Sequence, residues 1–350
     1  MFVAAEISIH HDASMTPNII SPPKLRIGVA GAGHFGRFHA LKVAASGRAT
    51  LAGVHDANTA RARAVGEEAG APPMDFFPLL ATCDAVIIAA PAATHHALAA
   101  AALRAGRHVL VEKPIAATLA EAVELAALAQ AGGLVLQVGH LERFSAAYAA
   151  VAQKIRSPIY IEAVRIAPFK PRGTDVSVIL DLMIHDLDLI LALVDSPIES
   201  VDAIGAAVAS PHEDIANARI RFVNGAVATL TASRISAGTE RRMRIFTQNS
   251  YLAVDFSKRT LTEIARGEGT PVPGLPGAAL REDSWQDHDS LAAEHAAFVA
   301  SILDGAPVVV DAAAGRRALA AALAVMDAMG AARAKAEASG LYQPPGPLSG

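Results

Sequence analysis

The sequence predicts an α/β protein: a doubly wound parallel sheet first, then an α/β domain with a large open, mainly antiparallel sheet. Three observations predict it. Between residues 24 and 144 short apolar runs alternate with helical segments, the pattern of parallel strands joined by crossover helices. A glycine-bearing turn separates the first run from the first helix. After residue 144 the strand signals follow one another without helices between them, which implies antiparallel pairing.

In order along the chain, residues 1–23 end in Ser21-Pro22-Pro23 and read as a flexible extension. Strands are expected at 25–30, 50–55, 84–90, 108–112 and 134–139. Helices are expected at 34–46, after residue 55, at 94–105 and at 119–131. The second unit, residues 145–336, begins with a strand at 159–166 and one helix at 176–194. Strands near 199–208, 214–223, 226–235, 242–247 and 250–255 follow. Asn224-Gly225 predicts a two-residue hairpin turn with both residues at positive φ. Residues 267–287 read as loop, helices return at 288–304 and 311–336, and residues 337–350 read as a flexible tail. A chain of 350 residues is long enough for about two domains.

Composition narrows the function classes. At 52% hydrophobic and 18% charged, the chain can build substantial cores. A net charge of −4 argues against a nucleic-acid partner or an acidic membrane surface. The single cysteine, Cys83, excludes an internal disulfide framework and a four-cysteine zinc site, which fits a reducing compartment. No apolar run reads as a membrane span, and the first residues lack the basic start and long apolar core of a signal peptide, so a cytoplasmic protein is expected. Met15 is an alternative start to Met1.

The first chemical signal is Gly31-Ala-Gly33-His34-Phe35-Gly36, a G-x-G-x-x-G run that follows a strand and opens a helix. The first glycine permits the tight turn, the second lets backbone approach a pyrophosphate, and the third lets helix and strand pack closely. The helix N-terminus then faces the anion. Asp56 ends the next strand, where a carboxylate accepts from a ribose 2′-hydroxyl and repels a 2′-phosphate. This favours NAD over NADP, although Arg61 or Arg63 is near enough in sequence to reach a 2′-phosphate.

Two further signals carry chemistry. Glu112-Lys113-Pro114 closes a parallel strand at its carboxyl end, the side on which open α/β sheets bind ligands. A lysine there can donate to developing alkoxide charge; the tripeptide alone is also an ordinary strand end. Asp181 and His185 are four residues apart, so on a helix they share a face, with Asp188 three further on. Histidine suits proton transfer near neutral pH. The region lacks H-E-x-x-H and a second nearby histidine, so no metal is expected.

In this order the signals resemble the Gfo/Idh/MocA family of oxidoreductases, over about residues 24–335. The resemblance also rests on Pro91-Ala-Ala-Thr-His95 and on Gly139-His-Leu-Glu-Arg143-Phe144. It implies an N-terminal Rossmann domain and a second domain whose open sheet makes a homodimer or homotetramer. It implies Lys113 as the active-site lysine, Asp181 and His185 as the substrate-binding and catalytic pair, and Pro91, His95, Glu112 and Lys113 itself around the cofactor. Which of Lys113 and His185 is the base stays open. Met183 stands where many members have glycine, and residues 175–177 replace glycines often found there, so the pocket's shape departs from the common pattern. Within the family the chain is similar to members that oxidise the 3-hydroxyl of UDP-N-acetylglucosamine for lipid A synthesis. Arg165, Lys170 and Arg172 are then expected to face a diphosphate, and Arg143, at a family motif position, to bind substrate with them. An inositol or other polyol dehydrogenase is the alternative enzyme, and a cofactor-binding regulator without turnover is the alternative outside the enzymes.

Overall fold

The computed structural model describes residues 24–170, 176–286 and 288–341. The expected flexible extension and most of the expected tail lie outside these residues, as does Arg172. The first unit runs β1 (Leu25–Ala30), α1 (His34–Ala44), β2 (Ala49–His55), α2 (Thr59–Ala69), α3 (Phe76–Thr82), β3 (Ala85–Ile88), α4 (His95–Arg104), β4 (His108–Glu112), α5 (Leu119–Gly132) and β5 (Leu136–Gly139). The five strands are parallel in the order β2-β1-β3-β4-β5. Chain order reverses between β1 and β3, which opens a crevice at their carboxyl ends. Local chemistry sets the helix starts. Asn58 caps α2 through its side chain, and Thr118 with Glu121 forms a reciprocal capping box on α5.

The second unit opens with α6 (Ala146–Lys154), which the sequence does not announce because its Ala-rich run has little amphipathic contrast; Ser145 caps it. Then come β6 (Tyr160–Ile166), α7 (Ile184–Leu193), β7 (Ile198–Ala206), β8 (Ile215–Phe222), β9 (Val227–Ser233), β10 (Glu240–Phe246), β11 (Ser250–Asp255), β12 (Thr260–Arg266), β13 (Thr270–Pro271) and β14 (Ala278–Ser284). The chain closes with α8 (Ser290–Leu303) and α9 (Ala312–Ala338). Nine strands form one open sheet in the order β13-β14-β12-β11-β10-β6-β9-β8-β7, antiparallel except for β6 against β9.

Four expectations need correction. Residues 267–287 are not simply loop: they hold β13, a two-residue edge strand, and β14, whose exposed, charged second half hides the strand signal. Asn224-Gly225 does join a hairpin, but only Gly225 has positive φ, at 88°. Gly225 N–H donates to the Phe222 carbonyl and Phe222 N–H to the Ala226 carbonyl, which makes a three-residue loop rather than a two-residue turn. The single helix expected at 176–194 is two elements, a π-helical turn Ile179–Met183 running into α7. Packing also does not follow a cut at residue 144. Phe298 and Val299 of α8 lie in the core around Ile27 and Leu110, and Ala314 and Leu319 of α9 lie in the core around Val111 and Val138. Further along α9, Ala322, Val325 and Met329 join the other core with Met183 and Leu230. The long last helix therefore spans both cores and holds the crevice walls in register.

Candidate active site

The glycine turn has the shape that dinucleotide binding needs. Gly31 sits at φ 104°, and a Cβ there would lie 2.4 Å from the Ala89 carbonyl oxygen. A Cβ on Gly36 would lie 1.8 Å from the Gly31 carbonyl oxygen. A Cβ on Gly33 would meet nothing within 4 Å, so protein atoms leave open the space beside the middle glycine. His34 and Phe35 are exposed at the same helix start, and the His34 ring meets Phe38 edge-on at 4.9 Å. Asp56 is half-buried. Its carboxylate accepts from Ala32 N–H at 2.7 Å and from Asn58 N–H at 2.7 Å, one per oxygen, which ties β2 to the turn and leaves each oxygen a lone pair. The residues present fit an NAD-type cofactor.

Lys113 follows β4 and reaches the π-helical turn. Its Nζ donates to the carbonyl of Asp181 at 2.8 Å and of Leu180 at 3.3 Å, and it stands 3.9 Å from Asp181 Oδ1. His185, in the first turn of α7, is half-buried, with Nδ1 sealed from solvent and without a hydrogen-bond partner among the described residues. Burial, and then the charges of Lys113 and Arg165, hold its pKa well below the ordinary histidine value. Lys113 thus meets the turn that carries Asp181, its charge is felt at His185, and the imidazole is neutral at neutral pH. A π turn at this point bends the i, i+4 spacing that the sequence suggested and presents two main-chain carbonyls to the lysine.

Other expected residues sit differently. His95 is buried, with Nδ1 2.7 Å from the Pro114 carbonyl and Nε2 2.8 Å from the Ala90 carbonyl. Both ring nitrogens are engaged by main-chain carbonyls, so His95 clamps the turn at exposed Pro91 to the one after Lys113. Glu112 accepts from His39 at 2.9 Å. Burial pushes its carboxyl up, but the His39 hydrogen bond and the Lys113 charge outweigh this and leave it below its ordinary value. Arg165 is buried, bound by both oxygens of Asp186 at 2.9 Å and by Glu142 at 2.9 Å. Two carboxylates hold it cationic against burial, so it braces α7 against β6 and is not a free diphosphate ligand. Arg143 lies 3.5 Å from Asp188 and over the Tyr148 ring at 5.1 Å. Lys170 is exposed.

Several residues near the site gave no clear signal in sequence. His140 is buried with neither ring nitrogen partnered among the described residues, and burial lowers its pKa. Buried Arg234 pairs with Asp214 at 2.8 Å and donates to the Val176 carbonyl at 2.9 Å, which anchors the segment leading into the π turn. His39, Glu294 and His295 form a buried cluster with ligand-type atoms within 4.8 Å. His39 Nδ1 and His295 Nε2 face each other at 2.8 Å, a hydrogen-bond separation shorter than two nitrogens on a tetrahedral ion. His39 comes from α1 and Glu294 and His295 from α8, so no local spacing reveals the cluster.

A family model described as an oxidoreductase family with an NAD-binding Rossmann fold matches residues 25–140, and one for the GFO/IDH/MocA C-terminal domain matches residues 166–252. The UDP-N-acetylglucosamine 3-dehydrogenase of Acidithiobacillus ferrooxidans is 46% identical over 305 residues, 86% of this chain and 96% of that protein. A solved structure of that enzyme matches with a TM-score of 0.84 at 45% identity, covering 88% of this chain and 98% of that one. Inositol 2-dehydrogenase of Acidothermus cellulolyticus is 31% identical over 268 residues, 71% of this chain and 78% of that protein. Matched in both halves and similar to a dehydrogenase along almost its whole length, the chain belongs to the GFO/IDH/MocA family of oxidoreductases.

Proposed function

We propose that the protein is an NAD-dependent dehydrogenase that oxidises the 3-hydroxyl of UDP-N-acetylglucosamine to a ketone. The observation that carries this reading is the 46% identity to an enzyme of that name, sustained over 86% of the chain and joined to the contact of Lys113 with the turn that carries Asp181 and the reach of its charge to His185. NAD, held by the Gly31–Gly36 turn and Asp56, supplies the hydride acceptor when bound. His185 takes the hydroxyl proton, because burial and neighbouring cations keep its imidazole neutral. Lys113 donates to the developing alkoxide, and its carbonyl partners fix the ammonium in place. Asp181 orients the sugar beside them. Asp56 supports NAD over NADP, since each oxygen keeps a lone pair for a ribose hydroxyl. The product ketone suits a following transamination in lipid A diamino-sugar synthesis, in the cytoplasm. The open outer face of the nine-stranded sheet supports assembly as a homodimer or homotetramer.

Inositol dehydrogenases share the family and are the second reading. Initial rates of NADH formation separate the two. UDP-N-acetylglucosamine should be oxidised and inositols left untouched; the reverse would transfer the assignment to polyols.

A further inference from the structure

A cavity of about 140 Å³ lies where the ends of β10 and β11 meet the starts of α6 and α8, lined by Glu142, Arg241, Phe256, Arg259, Trp285 and His288 among others. We propose that it is the subsite for the nucleoside diphosphate end of the substrate, with Arg241 on a phosphate oxygen and Trp285 against the base. This inference rests on the nucleotide-sugar reading given above. Strand register supplies the first argument. Arg241 of β10 pairs directly with Arg165 of β6, and directly opposed residues project from the same sheet face. Arg165 is committed to Asp186 and Glu142, whereas Arg241 is exposed at the same sheet end. The diphosphate role expected for Arg165 therefore passes one strand across.

Electrostatics agree. His185 is depressed by burial first, then by Lys113, Arg165 and His140, and last by Arg241, so the Arg241 charge is felt at the imidazole. A sugar at His185 with a diphosphate at Arg241 is the arrangement that this proximity suits. The ring partners sit on the same row. Phe256 N–H donates to the Arg241 carbonyl, and Trp285 N–H donates to the Arg259 carbonyl at 3.3 Å, so main-chain bonds hold both aromatic residues next to the two arginines. Trp285 is the one tryptophan of the chain and is half-buried, an amphipathic ring at the cavity wall. The cavity is smaller than the ~300–1,000 Å³ of a site that encloses a whole drug-sized ligand. It suits one end of an extended substrate whose sugar lies in the crevice.

The single tryptophan is a built-in probe for the full-length protein. UDP alone should quench its emission saturably. Arg241→Ala should raise both the UDP Kd and the KM for UDP-N-acetylglucosamine by about tenfold or more, the loss expected for a charge-assisted contact. NAD affinity should stay unchanged, and Arg241→Lys should recover part of the loss. Trp285→Phe, which keeps the apolar wall, should retain more UDP affinity than Trp285→Ala. Oxidation of UDP-N-acetylglucosamine by the unmodified enzyme, with UDP Kd and KM indifferent to Arg241→Ala, would overturn the subsite and leave the proposed function standing. Tight UDP binding that depends on Arg241, without turnover of UDP-N-acetylglucosamine, would support the subsite and sink the sugar assignment. Absence of UDP binding overturns the subsite outright.

Discussion

Lys113 and Asp181, 68 residues apart, meet through the main chain: the lysine Nζ donates to the Asp181 carbonyl oxygen at 2.8 Å. A strand end of the parallel sheet is thereby fastened to the π-helical turn that leads into α7. The aspartate carboxylate stands 3.9 Å from the same Nζ and is partly exposed.

If Lys113 and His185 act on the substrate and do not hold the cofactor, the two roles separate by experiment. Lys113→Ala and His185→Ala should each lower turnover by on the order of 10² or more, the usual effect of a positioned acid or base. The NAD dissociation constant, measured by titration calorimetry, should stay within about twofold, or ~0.4 kcal/mol. Near-normal turnover in either variant would remove that residue from the mechanism.

Two glycines of one motif should behave oppositely. Gly36→Ala brings a Cβ to 1.8 Å from a carbonyl oxygen, so the melting temperature should drop sharply. Gly33→Ala meets no protein atom within 4 Å. Its melting temperature should match that of the unmodified protein while NAD binding weakens by on the order of tenfold, the cost of ~1–3 kcal/mol for a misplaced methyl. Equal NAD affinity in Gly33→Ala would mean that the cofactor does not approach this glycine.

Cofactor choice follows from Asp56. NAD should bind more tightly than NADP, and Asp56→Ser should narrow the gap, because the substitution removes both the acceptor for a ribose hydroxyl and the charge that repels a 2′-phosphate. Paired binding titrations check this. Equal affinities in the unmodified protein would contradict it.

The pH dependence has a definite sign. His185 titrates well below its ordinary value in the folded state, chiefly through burial, so the acid limb of kcat/KM should lie well below pH ~6.5, the unfolded histidine value. His140 is lowered by burial too, and His295 is pushed down to about 3. A depressed histidine contributes stability that is present above its unfolded pKa and lost as pH falls towards its folded pKa. Thermal melts should therefore show stability decreasing as pH drops through about 6.5. Glu294 acts in the opposite direction, because burial and the Glu112 charge raise it; its contribution is present below the unfolded value and lost as pH rises. Glu294→Gln, which cannot ionise, should accordingly gain more stability at pH ~8 than at pH ~4. An acid limb at or above pH ~6.5 would mean that His185 is not the group that accepts the proton.

Much of this was legible because period and punctuation are local. The run 25–30, the glycine turn and the carboxylate at Asp56 define a strand, a turn and a strand end within about 30 residues. Lys113, Asp181 and His185 stood out by residue type and by resemblance. The fate of Arg165 did not, because a basic residue on a strand looks the same whether it faces a ligand or two acids; only Asp186 and Glu142, brought in by α7 and the segment after β5, decide it. Glu294 and His295 joined the site's hinterland through α8, more than 150 residues from Glu112 and folded back onto the first core. The π turn was hidden as well, since its composition is that of an ordinary helix.

The most direct test of the central claim is the initial rate of NADH formation, at 340 nm, with UDP-N-acetylglucosamine, free N-acetylglucosamine and inositols offered separately to the purified full-length protein with NAD. The account predicts turnover with UDP-N-acetylglucosamine and little with the others. Turnover of inositols or free sugars at an equal or greater rate, with the UDP-sugar inert, would contradict it.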